Sequence, residues 1–296
     1  MSNPAADESR PYREAMFYAK AEDGKTICGL CPRKCSLAPK NTGACLARRN
    51  EGGALFSLNY GRVSSINLDP IEKKPLYRFY PGGKILSAGS FGCNFSCPFC
   101  QNYTISKMVP KTFPMTPAEL VQAALGARAD GNIGIAFTYN EPIVWYEFVK
   151  ETAELALPYN LKNVMVTNGY IEPEPLYALL PYISAMNVDL KGNEAFYNKL
   201  CGGEQRVALD TIKTAFAAGC HIEVTTLLVS GWNDDAGAVD EIARSVASVS
   251  DGIPLHLSRF FPRYRMSEAP PTDAAIVYKA VGIAKKYLKY VYPGNV

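Results

Sequence analysis

The sequence predicts an α/β protein with parallel strands, and three observations carry that reading. From residue 83 onward, short apolar runs recur at regular intervals. Each run is followed by a longer stretch with helical periodicity, and several of those stretches open on recognisable start signals. Strands separated by helices require crossover connections, which produce a parallel sheet. The chain has 296 residues, 48% of them hydrophobic, enough for one large core and a small appended module.

In chain order, the strands are expected at residues 84–88, 133–138, 162–167, 185–190, 221–229 and 254–258. Helices are expected at 117–129, 143–157, 174–180, 207–218 and 235–247, with one more at 273–288 after the last strand. Thr116-Pro117-Ala118-Glu119 shows the logic: a threonine able to cap, then proline at the first helical position, where its missing N–H costs nothing. A partial (β/α)6 barrel and an open doubly wound sheet both satisfy this order. Residues 1–82 read differently, being rich in cysteine, glycine and basic residues, and are expected to form a small module beside a unit spanning 83–296. Within the module, apolar segments 54–60 and 63–68 suggest a hairpin turning at Gly61.

Composition excludes several functions. A net charge of +3 from balanced acids and bases, with no basic block, does not indicate nucleic-acid binding. Met1 to Arg10 is polar without an apolar signal core, and no run reaches membrane-spanning length, so a soluble cytoplasmic protein is expected. Nine cysteines in tight groups favour metal ligation in a reducing compartment over a disulfide framework. A zinc hydrolase is excluded by ligands, because the two histidines lie in no zinc-binding helix motif.

Cys93, Cys97 and Cys100 form C-x3-C-x2-C after the first expected strand. Closed structural zinc sites take four ligands, so three thiolates from one loop better suit an iron–sulfur cubane with one iron left for a ligand that is not protein. A second group, Cys28, Cys31, Cys35 and Cys45, has the spacing C-x2-C-x3-C-x9-C, which fits either zinc or an auxiliary [4Fe-4S] cluster. Cys201-Gly202-Gly203 reads as a helix end, and its thiol is a candidate hydrogen-atom relay.

Alternation along the strands predicts a polar inner face. His221, Glu223 and Thr225 share one side of the fifth strand, His256 and Ser258 one side of the sixth, and Asn187, Asp189 and Lys191 one side of the fourth. Unpaired buried charge is costly, so these groups point to a polar ligand at the strand ends.

The run Cys93-Asn94-Phe95-Ser96-Cys97-Pro98-Phe99-Cys100 resembles the cluster loop of radical S-adenosylmethionine (SAM) enzymes, with Phe99 in the aromatic slot before the last cysteine. From about Phe17 to the C-terminus the chain is similar to the branch related to pyruvate formate-lyase activating enzyme. Within that branch it resembles the radical SAM member of the AmmeMemoRadiSam set, whose genes accompany those of Memo-like and AMMECR1-like proteins. The resemblance implies the partial (β/α)6 TIM-like barrel with a cysteine-rich N-terminal module, a [4Fe-4S] cluster on Cys93, Cys97 and Cys100, and SAM on its open iron. Tyr139-Asn140-Glu141-Pro142 matches a turn that holds the SAM amino group, keeping the glutamate and proline but neither glycine. Thr167 and Asn168 match the end of the third strand, and Asp189-Leu190-Lys191 a run associated with the ribose and the methionyl carboxylate. Thr225 to Val229 resembles the segment that lines the adenosine, while His256, Ser258 and Arg259 fall where substrate would sit, His256 being the second candidate catalytic group. The implied activity is a radical SAM oxidoreductase or activase that receives an electron from a donor such as flavodoxin or ferredoxin. Its substrate would be either a glycyl radical enzyme or a small molecule, lipid or nucleic-acid component modified with Memo-like and AMMECR1-like partners. The reading of a different class is a metal-binding assembly scaffold without catalysis.

Overall fold

In a computed structural model, described here for residues 12–296, eight strands form one sheet in strictly sequential order. They are β1 (Ser65–Pro70), β2 (Lys84–Gly89), β3 (Asn132–Phe137), β4 (Lys162–Thr167), β5 (Ala185–Asp189), β6 (His221–Leu228), β7 (Leu255–Arg259) and β8 (Val291–Gly294). Strands β2 to β8 are parallel, and β1 pairs antiparallel with β2. The polar opening of the chain, residues 1–10, lies outside the described residues.

That order decides between the two architectures the sequence left open. A doubly wound sheet reverses its strand order at a switch point, sending helices to both faces. Here nothing reverses, so right-handed crossovers place every helix on one face, and the twisted sheet curls into an open barrel. The longer helices are α1 (Pro117–Gly126), α2 (Tyr146–Ala156), α3 (Pro173–Leu179), α4 (Gln205–Ala217), α5 (Ala236–Ala247) and α6 (Ala274–Ala284). The start of α1 is a full capping box: Thr116 Oγ1 accepts from the Glu119 backbone N–H at 3.2 Å, and the Glu119 carboxylate accepts from the Thr116 N–H at 2.7 Å. Among the described residues no helix is long and apolar enough to cross a membrane.

The expected hairpin of 54–60 with 63–68 does not form. Ala54–Ser57 pairs instead with Arg48–Glu51 across Gly52-Gly53, both at positive φ, the two-residue glycine turn that fits the twist of a tight hairpin. Strand β1 belongs to the large sheet, so the expected division at residue 82 is crossed by β1–β2 pairing.

Between β1 and β2 the chain passes beneath the barrel. Ile71, Leu76 and Phe79 are buried there with Ile85, Ala136, Val164 and Ala185, residues of four neighbouring strands. Glu223 fastens this floor. Its carboxylate accepts from the backbone N–H groups of Tyr77 (3.0 Å) and Arg78 (2.8 Å) and pairs with His221 (3.0 Å) and His256 (2.7 Å). Burial alone would raise the Glu223 pKa, but the bonds from His221, His256, Arg78 and Tyr77 outweigh it and bring it down to about 2. A depressed carboxylate stabilises the fold fully above its unfolded pKa, near 4.5, and loses that contribution as pH falls toward about 2. Glu223→Gln should therefore lower the unfolding free energy at pH 7 by on the order of 3 kcal/mol and flatten the loss of stability below pH 4.5. Chemical denaturation at several pH values measures both effects, and an unchanged acid limb would refute this role.

Candidate functional site

The open end of the barrel holds a cavity of about 770 Å³, on the scale of cofactor and substrate pockets. Cys93, Cys97 and Cys100 all line it. So do Phe99, Asn140, Glu141, Thr167, Asn168, Asp189, Lys191 and Thr225, eight of the ten residues expected around SAM, together with Ser258. Val229 is buried behind the wall and does not reach the cavity.

His256 does not reach it either. It shares a sheet face with Ser258 but is engaged by Glu223 and packed edge-on against Tyr77 at 4.7 Å, as part of the floor. Strand alternation fixes the face a side chain points to, not its depth along the barrel. Cys201 is also outside the cavity. It ends a single wide helical turn, Tyr197–Cys201, capped by Gly202 at φ +72°. Its carbonyl accepts from the Ser96 N–H at 2.9 Å, and its thiol lies close enough to Cys97 to raise that thiol's pKa. The expected helix end is present, with the thiol facing a cluster-loop cysteine and not the cavity.

The cysteine loop is held by groups outside itself. Asn140 accepts from Ser90 N–H at 2.8 Å and donates to the Gly92 carbonyl at 3.1 Å, so its amide positions the loop. Lys107 donates to the Cys93 carbonyl at 3.0 Å, and Asn94 to the Tyr170 carbonyl at 2.8 Å. Asn168 reaches Asn94 at 2.8 Å and the Cys93 sulfur at 3.7 Å. Burial raises the pKa of Cys93 and Cys100, and the bond from Cys201 together with burial raises that of Cys97. Such thiols become thiolates when a metal takes the place of the proton.

The turn after β3 keeps its shape without glycine. Tyr139 sits at φ +70°, the left-handed region glycine favours. Its hydroxyl donates to Asp69 at 2.8 Å, and the Lys74 ammonium lies 4.7 Å from its ring centre. Glu141 follows, accepting from Thr167 Oγ1 (2.6 Å), Asn168 N–H (2.8 Å) and Ile143 N–H (3.0 Å). Burial dominates these bonds and lifts its pKa to about 7. Asp189 and Lys191 form a 2.7 Å ion pair on the opposite wall. Burial works against the Lys191 charge, but Asp189, Cys97 and Cys201 hold its pKa well above the ordinary lysine value, so the ammonium stays charged. Thr225 also lines the cavity, but its Oγ1 is itself buried and has no partner among the described residues.

These features fit the [4Fe-4S] cluster and SAM. Three thiols from one loop share a cavity with the Glu141 and Asp189 carboxyl groups and the Lys191 ammonium. Asn67, Asp69, Lys73 and Lys74 also line the cavity, although the sequence reading did not assign them. The one available signal was the charge cluster Asp69, Glu72, Lys73, Lys74 beside an apolar run.

Comparison with known proteins agrees. The Radical SAM superfamily profile matches residues 89–243. An uncharacterized protein of Methanocaldococcus jannaschii is 44% identical over 292 residues, covering 96% of this chain and 85% of its own length. A radical SAM methyltransferase from Sphaerobacter thermophilus superposes with TM-score 0.55 at 17% identity, over 73% of this chain and 67% of that one. SuiB of Streptococcus suis, bound to precursor peptide SuiA, gives TM-score 0.56 at 13% identity, over 68% of this chain and 46% of its own. The chain belongs to the radical SAM superfamily, whose members are enzymes that use a [4Fe-4S] cluster and SAM.

Gly92 joins the loop to the N-terminal module. It sits at φ +93°, and a Cβ there would overlap the Cys45 carbonyl oxygen. Gly92→Ala should cost on the order of 1–3 kcal/mol and reduce iron per chain after reconstitution. Wild-type stability and full iron content would contradict this placement.

Proposed function

We propose that this chain cleaves SAM reductively and directs the resulting radical to a hydrogen of its substrate. One observation carries the reading: the cysteine triad and the polar strand ends open on the same cavity. When bound, the cluster supplies one electron to the sulfonium of SAM, yielding methionine and a 5′-deoxyadenosyl radical.

The chain's own groups bind and orient. Lys191 presents a fixed cation to the methionyl carboxylate, and Asp189 holds that cation while offering an acceptor to the ribose. The Glu141 carboxylate, held by Thr167, Asn168 and Ile143, faces the SAM ammonium. Thr225, paired in register with Asp189 on the neighbouring strand, lines the adenosine side of the cavity. The floor fastened by Glu223 excludes water from below, so substrate enters at the mouth.

The electron donor in this reading is a flavodoxin or ferredoxin. The N-terminal cysteine module and the glycine-free turn at Tyr139 favour a substrate other than a glycyl radical enzyme. We accordingly assign a small molecule, lipid or nucleic-acid component as substrate, with Memo-like and AMMECR1-like proteins as partners. A glycyl radical formed on a partner protein would reverse that assignment.

Anaerobic protein reduced with dithionite should form 5′-deoxyadenosine from SAM, and Cys93→Ala should fall to background. Retained cleavage by the variant would overturn the proposal. Lys191→Ala should weaken SAM binding by on the order of 10–100-fold, the worth of a charge-assisted hydrogen bond. Equilibrium dialysis against labelled SAM reads the change, and unchanged affinity would remove Lys191 from the site.

A further inference from the structure

Away from the SAM cavity, four thiols face one another across the N-terminal module. Cys28 ends the strand Thr26–Cys28 and donates its backbone N–H to the Cys35 carbonyl at 3.0 Å, which brings the two together. Cys31 lies in the turn between them, and Cys45 enters past Gly43, where a Cβ would meet its sulfur at 3.8 Å. All four line a single void of about 20 Å³, and none is in a disulfide. Arg33 and Arg48 line the same void and set two cations beside the four sulfurs.

The void discriminates between metals. Zinc draws thiolates to about 2.3 Å, less than the roughly 3.2 Å needed to place a water-sized sphere against a sulfur, so a closed zinc site has no space at its centre. A void of about 20 Å³ does hold such a sphere. Cys93, Cys97 and Cys100 likewise border open space, the larger cavity at the barrel mouth, and theirs is the triad that takes a cubane in this superfamily.

We infer that Cys28, Cys31, Cys35 and Cys45 bind a second [4Fe-4S] cluster, fully ligated by protein and adjoining the SAM-cluster loop. The two loops share residues at their boundary. Asn94, next to Cys93, lines the second void beside Cys31. Arg33, between Cys31 and Cys35, donates to the Asn94 carbonyl and, at 2.5 Å, to the Gly202 carbonyl. Gly92 lies directly against the Cys45 backbone. The buried Arg48, ion-paired with Glu147 at 2.5 Å, anchors the site to α2 and offsets the charge of four thiolates.

The inference does not rest on SAM cleavage, and its test separates the two. The full chain carrying Cys93→Ala, Cys97→Ala and Cys100→Ala is purified anaerobically, reconstituted with iron and sulfide, and assayed for iron, sulfide and zinc. It should keep about half the wild-type iron and sulfide, with absorption near ~400 nm and a reduced-state paramagnetic signal that SAM does not alter. Zinc without iron, or no metal at all, overturns the inference. Cys31→Ala with Cys45→Ala should lose the complementary half and keep the SAM-sensitive signal, while unchanged iron in that variant would also overturn it. Should the wild type fail to cleave SAM while the triple variant keeps its iron, the functional proposal falls and this one stands.

Discussion

A buried loop that carries three metal-binding thiols must have its backbone satisfied from outside, and this requirement organises the mouth of the barrel. Between Ser90 and Asn102 the chain is neither helix nor strand, so its polar groups find partners on surrounding elements. Asn140 reaches it from the β3 turn, Asn168 from the end of β4, the Cys201 carbonyl from the turn after β5, and Arg33 from the N-terminal module. Several residues that resemble cofactor ligands in sequence thus serve the loop first. Asn140 spends its amide on Ser90, Gly92 and the Glu141 carbonyl, and Asn168 divides itself between the loop and Tyr170. Substrate-facing chemistry is left to groups with spare capacity, chiefly Lys191 and Asp189.

The barrel separates two polar layers with opposite roles. In the lower layer, Glu223, His221 and His256 saturate one another and the backbone of the floor segment. In the upper layer, Thr225, Asp189 and Ser258 line a cavity. One strand, β6, contributes to both, since Glu223 and Thr225 are two residues apart on the same face. The lower layer behaves as a stability element and the upper layer as a site, which is the division expected between the ends of a parallel barrel.

Much of this was legible in the sequence. The six core strands and their helices appear where apolar runs and capping residues placed them, and Thr116 to Glu119 forms the cap its spelling implies. The cysteine loop was readable because metal chemistry constrains spacing tightly. Strand order was not readable, because crossover direction leaves no mark on local periodicity. Depth was equally hidden: His256 and Ser258 alternate identically, yet one is floor and the other cavity wall. The hairpin at Gly52-Gly53 did carry a signal, a two-residue glycine turn, but the apolar segments flanking Gly61 were the stronger pattern. The apolar segment 63–68 marked most of strand β1, but its pairing with β2, which brings Asn67 and Asp69 to the cavity, lies outside the repeating strand–helix pattern and left no local signal.

The central claim is that the thiol triad and the polar strand ends form one site, with SAM ligating the cluster directly. Electron–nuclear double resonance on the reduced chain with SAM labelled at its amino nitrogen or carboxylate tests this most directly. The account predicts hyperfine coupling between the labelled atoms and the cluster spin, abolished in a variant lacking Cys93, Cys97 and Cys100. Tight SAM binding without any such coupling would contradict it.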